Sequence, residues 1–290
     1  MSNKWPTIHL KEGENPWVTY AKRQTTRKNN CINLIVTSIP GEGKSWGLLS
    51  YYSQIDPDFD LNEQCFFKAG KLMRVFEKGG LPKGKPFMFD EAGIDANSLK
   101  WQDEINKGLN AYLQTSRHRN HIFGMTVPFM SFVSKGIRTL MNCHWKAQGW
   151  NSLDQTRIKP LTMEFNGDLD KFYRKRLLIK SSKGFNFCDE IRLPRPPKNI
   201  TIEYEKMKKE FTQNLYKEIA DKIEAKEEIE KPFDMVKSSS VAKELGLTTG
   251  NFRQKCLNKS INGKKLGGLW YISKEERLTL LGMLNRTNIG

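Results

Sequence analysis

Short runs of apolar and β-branched residues alternate along the first half of the chain with segments whose apolar positions recur every three or four residues. The short runs predict buried strands, because a brief run that is apolar on both faces fits the interior of a sheet. They lie at 32–37, 65–67, 86–89 and 122–127. The periodic segments predict helices at about 45–54, 69–78 and 103–117. Strands separated by helices predict an α/β fold with three layers around a mostly parallel sheet.

The pattern changes after about residue 145. Candidate strands follow at 172–180 and 185–193, and a proline-rich stretch then ends this region. Apolar residues at three- and four-residue spacing next predict one long amphipathic helix over 203–230. The chain is therefore expected to have three parts, which are a core domain at 1–200, an amphipathic helical linker at 201–235 and a small domain at 236–290.

The net charge of the chain indicates which class of partner to expect. Lys and Arg exceed Asp and Glu by 16 in the 290 residues. Such an excess favours a polyanion partner, either nucleic acid or an anionic membrane surface, although a solvated basic surface is the simpler alternative. Residues 236–290 hold ten Lys and Arg against three Asp and Glu, so this segment alone carries seven of the excess charges.

The cysteines and the lengths of the apolar runs indicate the cellular compartment of the protein. The five cysteines are scattered singly, which argues against a zinc site and is typical of reduced thiols. The first eleven residues lack the apolar stretch of a signal peptide, and no run approaches the roughly 20 apolar residues of a membrane span. We expect a cytoplasmic protein without a membrane span.

The segment after the first predicted strand has the chemistry of a phosphate-binding loop. Such a loop needs glycines so that backbone N–H groups can point at an anion, a lysine for the outer phosphates, a hydroxyl for Mg²⁺ and a following helix. Ser38 stands where the usual G-x-x-x-x-G-K-[ST] pattern has its first glycine. The candidate nucleotide-binding residues are Pro40, Gly41, Glu42, Gly43, Lys44, Ser45 and Trp46.

Two carboxylates follow the strand at 86–89. Asp90 and Glu91 are placed at the carboxyl end of this strand, which is the edge where ligands bind in open α/β sheets. Asp90 would hold Mg²⁺ through water, with Ser45 supplying the hydroxyl for the metal, and Glu91 would orient and activate the attacking water. An ordinary strand ending in a solvated turn is the alternative for this pair taken alone. Its order after the phosphate-binding loop favours an ATPase.

The series of motifs between residues 30 and 150 resembles the HerA/FtsK superfamily of P-loop ATPases, and within it Zot-like and viral or plasmid DNA-translocating ATPases. The motifs that carry this resemblance are the phosphate-binding loop, Phe87-Met88-Phe89-Asp90-Glu91-Ala92-Gly93, the helix ending Gln114-Thr115-Ser116-Arg117-His118-Arg119-Asn120, and the strand Ile122–Thr126 with Pro128. It implies a RecA-like core, ATP and Mg²⁺ as cofactors, and a homo-oligomeric ring expected to have six subunits.

The same resemblance assigns further residues. Thr126 fits a polar sensor at the end of its strand, although Val127 stands where the family often has glutamine. Arg117 and Arg138, with Arg119 as runner-up, fit the regions from which the family reaches a neighbouring subunit's nucleotide. Contact with a phosphate backbone, or plain surface charge, is the alternative for these arginines.

The tail has a pattern of its own. A short helix closed by Gly246, a second helix at 250–258 capped by Thr248-Thr249, and a hairpin around Gly267-Gly268 are similar to winged helix-turn-helix domains of the excisionase/MerR type. That resemblance implies DNA as the partner, with base or phosphate contacts from Arg253, Gln254, Lys255, Lys264 and Lys265. A helical unit that docks a protein is the alternative.

Together these features predict an ATP-driven DNA-translocating motor of a virus, plasmid or other mobile element. A nucleotide-gated DNA-binding or partition factor is the first alternative, since it would use the same loop as an assembly switch. A Zot-like morphogenesis ATPase that moves protein is the second, and the basic tail argues against it.

Overall fold

The computed structural model describes residues 5–79, 81–91, 99–182, 184–230, 235–266 and 268–287. Ala92 and Gly93 of the second motif, and Gly267 of the expected hairpin turn, lie outside the described residues. The chain divides into two compact units, Met1–Phe211 and Thr212–Gly290. The domain boundaries expected from the sequence stay predictions.

The strands, numbered along the chain, are β1 Thr7–His9, β2 Ile32–Thr37, β3 Cys65–Phe66, β4 Pro86–Phe89, β5 Ile122–Val127, β6 Cys143–Trp150, β7 Thr156–Asn166, β8 Lys171–Lys175, β9 Leu177–Ser181, β10 Gly184–Cys188, β11 Ile191–Leu193, β12 Met235–Lys237, β13 Gly263–Leu266 and β14 Leu269–Ser273. The α-helices are α1 Pro16–Lys22, α2 Lys44–Ile55, α3 Leu61–Gln64, α4 Ala69–Glu77, α5 Leu99–Thr115, α6 Lys135–Leu140, α7 Lys198–Glu230, α8 Ser238–Glu244, α9 Thr249–Leu257 and α10 Lys274–Thr287.

A central sheet organises the first unit, which is a mixed α/β structure compatible with a RecA-like fold. Its strand order is β11-β7-β6-β2-β5-β4-β3, and β8 pairs with β7. Strands β3, β4, β5, β2 and β6 run parallel to one another. Strand β7 pairs antiparallel with β6, and β8 and β11 pair antiparallel with β7. Every residue of β2, β4 and β5 is buried, as their continuous apolar runs predict.

Helix α2 packs against the middle of this sheet. At Gly124 of β5, a Cβ atom would lie 2.3 Å from the Tyr52 hydroxyl and 2.9 Å from a methyl of Leu48. Only glycine therefore lets the helix approach this closely. An apolar core lies beside α4, α5 and α6 and includes Phe87 and Phe123.

The strands at 32–37, 86–89 and 122–127 are confirmed, but three later expectations were wrong in detail. The single strand expected over 172–180 is broken at Arg176, because β8 belongs to the central sheet and β9 to a second sheet of order β1-β9-β10. The strand expected over 185–193 is likewise divided into β10 and β11. The long helix starts at Lys198, five residues earlier than expected, and ends at Glu230.

The second unit contains α8, α9, α10 and a sheet of order β12-β14-β13. Thr248 caps α9 by accepting a hydrogen bond from the Asn251 N–H, as the sequence indicates. Antiparallel β13 and β14 form the expected hairpin. A small core around Val241, Phe252 and Ile272 holds these elements together.

Candidate nucleotide and metal site

The phosphate-binding loop joins the end of β2 to the start of α2. Gly41 and Gly43 have φ angles of +88° and +82°, a backbone region that side chains disfavour. A Cβ atom on Gly43 would also lie 2.9 Å from a Thr156 methyl. Both glycines are thus needed for the turn that leads into α2, and a helix N-terminus of this kind is suited to an anion.

Lys44 is folded over this loop. Its ammonium donates hydrogen bonds to the carbonyl oxygens of Ser38 and Ile39, at 2.8 and 3.0 Å. Ser38 also donates from its hydroxyl to Glu42 at 2.9 Å, so the serine that replaces the usual glycine braces the turn. Burial lowers the pKa of Lys44, and the nearby charges of Glu91 and Asp90 partly offset this effect.

Asp90 is the centre of the site. Its carboxylate is 0% exposed and accepts hydrogen bonds from the hydroxyls of Ser45, Thr126 and Tyr204, at 2.7, 2.5 and 2.5 Å. A buried carboxylate requires such partners, because an unpaired charge away from water is costly. The carboxyl ends of β4 and β5 and the first turn of α2 therefore converge on one group.

Glu91 follows with a left-handed backbone, φ +55°, which is uncommon for a residue with a side chain. Its N–H donates to the Thr126 hydroxyl at 3.0 Å, the same hydroxyl that donates to Asp90. A single threonine thus fixes the orientation of both acidic residues. Val127, where the resembled family often has glutamine, is buried in the core.

Two residues of α7 complete the site. Tyr204 donates to Asp90, and its ring packs edge-on against Trp46 with the centroids 5.2 Å apart. Lys208, one turn later, lies 2.8 Å from a Glu91 oxygen and 3.9 Å from Asp90. The helix therefore places a phenol and an ammonium on the two carboxylates that the sequence singles out.

The pKa shifts of these two residues follow from the contacts. Burial raises the pKa of Tyr204 well above its usual value, and the negative charge of Asp90 adds to the effect. For Lys208 burial favours the neutral form, but the carboxylates of Asp90 and Glu91 outweigh it and the pKa is raised. A neutral phenol and a charged ammonium are thus the stable forms beside the acids.

Sequence reasoning did not identify either residue as part of the site. In the sequence, Tyr204 is one apolar position of the amphipathic helix expected over 203–230, and Lys208 is one of several lysines along it. Their spacing of four residues places Tyr204 and Lys208 on one face of the helix, and this spacing is the only sequence feature that links the two residues. Nothing in the local sequence shows that this face would meet residues more than 110 positions earlier.

The arginines lie elsewhere. Arg117 follows α5 in a 3₁₀ turn, and its carbonyl accepts from the thiol of Cys31, immediately before β2. The phosphate-binding loop begins beyond the other end of β2, about 20 Å away for six residues of strand. Arg138 lies in α6, which ends at Leu140, whose carbonyl accepts from Asn33 near the start of β2. The structure does not bring these arginines together with Asp90 and Glu91.

The candidate DNA-binding residues belong to the second unit. Arg253, Gln254 and Lys255 are exposed on α9, whereas Phe252 and Cys256 of the same helix are buried. Lys264 and Lys265 are exposed on β13. Within the part of the chain that the structure describes, no helix is both long enough and apolar enough to cross a membrane.

Comparison with known proteins identifies no family model that matches this chain and no curated protein that resembles it. Among solved structures, the N-terminal domain of zonular occludens toxin from Neisseria meningitidis is similar at 17% sequence identity and a TM-score of 0.32. That match covers 50% of this chain and 93% of the toxin domain.

Proposed function

We propose that the first unit binds and hydrolyses ATP with Mg²⁺ and that the protein is a DNA-translocating motor. The observation that supports hydrolysis most strongly is the convergence of Ser45, Asp90 and Thr126 beside a glycine-rich loop at the carboxyl edge of a parallel sheet. In open α/β sheets this edge is where ligands bind.

The residues present fit Mg²⁺. Ser45 Oγ and Asp90 Oδ1 lie 2.7 Å apart, and both are oxygen atoms of the kind that surround a metal ion. Mg²⁺ is usually held by one or two such protein groups together with water and phosphate oxygens. Bound there, the metal would neutralise charge that develops on the transferred phosphoryl group. Lys44 would exchange its two carbonyl partners for outer phosphate oxygens, and Glu91 would orient the attacking water.

Lys208 must leave Glu91 for that last role. The Glu91 oxygen that lies 2.8 Å from the Lys208 ammonium is occupied by that contact and is not free to accept a hydrogen bond from water. This contact favours the second candidate function, a nucleotide-gated DNA-binding factor that turns over slowly. A motor would break and remake the contact in each cycle.

DNA as the partner is supported by charge and by the second unit. Seven net positive charges lie in residues 236–290, and five candidate contact residues on α9 and β13 are exposed. The order of two short helices followed by a hairpin fits a winged helix-turn-helix, in which the second helix enters the major groove. In a ring of RecA-like subunits, Arg117 or Arg138 would contact the nucleotide of a neighbouring subunit. Both arginines lie toward the edge of the sheet where β2 starts, opposite the edge that carries the candidate nucleotide site of their own subunit.

The test is ATP hydrolysis by the full chain with no DNA, with duplex DNA and with single-stranded DNA. We expect Mg²⁺-dependent turnover that DNA stimulates and that rises with DNA length. Lys44→Ala is the matched inactive control, because it removes the charge that meets the outer phosphates. Hydrolysis that Lys44→Ala does not reduce would refute the site. Slow turnover independent of DNA length would favour the gated factor over the motor.

A further inference from the structure

The small sheet of order β1-β9-β10 has one buried and one open face. Side chains alternate between the faces of a strand, so Ile8 of β1 and Leu177 of β9, both fully buried, point to the inner side. The pairing aligns Lys180 of β9 with His9 and Phe185 on the outer side. Phe187 lies two residues further along β10, on the same outer face.

An outer face of this kind ordinarily carries polar residues. Here it carries phenylalanines, and Phe185 is 59% exposed while Phe187 is 37% exposed. Trp5, just before β1, is 41% exposed and packs edge-on against Phe187 with the ring centroids 4.9 Å apart. Three aromatic rings therefore lie open along one side of the first unit, a costly arrangement for a surface that contacts only water.

Each phenylalanine has its own cation. The guanidinium of Arg176 lies 4.4 Å from the centre of the Phe187 ring, and the ammonium of Lys180 lies 5.4 Å from that of Phe185. Arg176 is also paired with Asp189 at 2.8 Å. Residues 171–188 contain six Lys and Arg and no Asp or Glu, the six being Lys171, Arg174, Lys175, Arg176, Lys180 and Lys183.

We propose that this aromatic face, defined as Trp5, Arg176, Lys180, Phe185 and Phe187, binds single-stranded nucleic acid. Exposed rings on a sheet stack the flat faces of unpaired bases, and adjacent cations attract the phosphates between them. Stacking of this kind tolerates any base sequence. A base can also stack on an arginine guanidinium plane, so Arg176 need not leave its ring.

Charge complementarity selects this occupant over an apolar partner. An apolar protein groove or a lipid tail would gain nothing from a cation beside each of the two phenylalanine rings. The face belongs to the first unit and is separate from the candidate DNA-binding residues of α9 and β13. It also does not depend on ATP hydrolysis, because none of its residues contacts Lys44, Asp90 or Glu91 among the contacts of the described residues.

The experiment measures fluorescence anisotropy of a labelled oligo-dT of 20 nucleotides on the full chain. A 20-nucleotide abasic strand has the same phosphates but no bases, and oligo-rU of equal length distinguishes RNA from DNA. We expect oligo-dT to bind more tightly than the abasic strand. Phe185→Leu and Phe187→Leu should each weaken oligo-dT binding about 5- to 150-fold, the range for loss of one stacked base.

Leucine is chosen because it keeps an apolar side chain and removes the aromatic ring. Tyr216→Ala is the control, since Tyr216 is an aromatic residue that is 67% exposed on α7 and does not belong to the aromatic face. Lys180→Gln should instead flatten the salt dependence of log K by about 0.7, the slope lost per single-strand phosphate contact. Basal ATP hydrolysis and melting temperature should stay unchanged in all of these variants, so failure of this proposal is distinguishable from failure of the ATPase.

Two results would overturn the proposal. Equal binding of oligo-dT and the abasic strand would show that bases do not stack. Leucine variants that bind oligo-dT as tightly as the unaltered chain would show that the phenylalanine rings do not contribute to binding. Binding to vesicles of anionic phospholipid that survives both leucine changes but is lost with Phe185→Ala and Phe187→Ala, alongside unaltered oligo-dT binding, would assign the face to a membrane surface instead.

Discussion

Replacing Tyr204 with phenylalanine removes one hydroxyl and leaves the aromatic ring in place. That hydroxyl donates to Asp90 at 2.5 Å, and both side chains are buried. The ring would keep its packing against Trp46 and Phe67, since neither contact uses the hydroxyl. Any loss of stability therefore reports on the hydroxyl, which donates a hydrogen bond to Asp90 and accepts one from the Lys208 ammonium at 3.3 Å.

The magnitude follows from the burial of Asp90. A hydrogen bond to a charged group contributes about 1.5–3 kcal/mol net, and a buried carboxylate cannot replace a lost donor with water. The hydroxyls of Ser45 and Thr126 remain, which places the expected loss toward the lower end of that range. For a unit of this size, 1 kcal/mol lowers Tm by about 2–4 °C, so a loss of about 1.5 kcal/mol should decrease Tm by about 3–6 °C.

The assay is thermal unfolding of the full chain, with Tyr216→Phe on the same helix as the matched control because Tyr216 is exposed. We expect Tyr216→Phe to leave Tm unchanged. Mg²⁺ with a non-hydrolysable ATP analogue should narrow the gap between Tyr204→Phe and the unaltered chain, since metal-bound water would then donate to Asp90. The reasoning is refuted if Tyr204→Phe and Tyr216→Phe melt at the same temperature.

Three further outcomes are expected. Glu91→Gln should keep ATP binding but lose hydrolysis, as measured by equilibrium binding and phosphate release, and a wild-type rate would contradict the catalytic assignment. Burial lowers the pKa of His121 and of His144 to about 4, against 6.5 in an unfolded chain. The unfolded chain thus binds more protons in this window, and urea titrations should show the unfolding free energy falling by about 1.4 kcal/mol per pH unit for each histidine as the pH drops from 6.5 toward 4. Ending the chain after Glu230 should weaken duplex DNA binding and flatten its salt dependence while the basal ATPase rate survives, and unchanged affinity and salt slope would exclude the tail as a DNA-binding domain.

Much of the candidate site could be predicted from sequence because its chemistry is local or follows from parallel strands. The turn at Gly41 and Gly43 and the hydroxyl of Ser45 lie in one contiguous strand–loop–helix segment. Asp90 and Thr126 could be placed beside that segment because the carboxyl ends of parallel strands share one edge. The convergence of Ser45, Asp90 and Thr126 in the structure agrees with this rule.

The antiparallel region escaped prediction for a physical reason. The run at 172–180 is uniformly suited to a strand, so nothing local indicates that the chain leaves one sheet at Arg176 and enters another. Which face of β9 and β10 is buried depends on β1, more than 160 residues earlier. The exposure of Phe185 and Phe187 is thus a property of sheet pairing, not of the local pattern.

Tyr204 and Lys208 show the same limit at the site itself. The sequence of an amphipathic helix shows which face is buried, but it does not show which residues that face will contact. A phenol and an ammonium at four-residue spacing are ordinary on such a helix. Only the folded chain, in which α7 lies across the ends of β4 and β5, places them on Asp90 and Glu91. Local sequence determined the donors and carboxylates of this site, whereas long-range packing decided which other groups hold them.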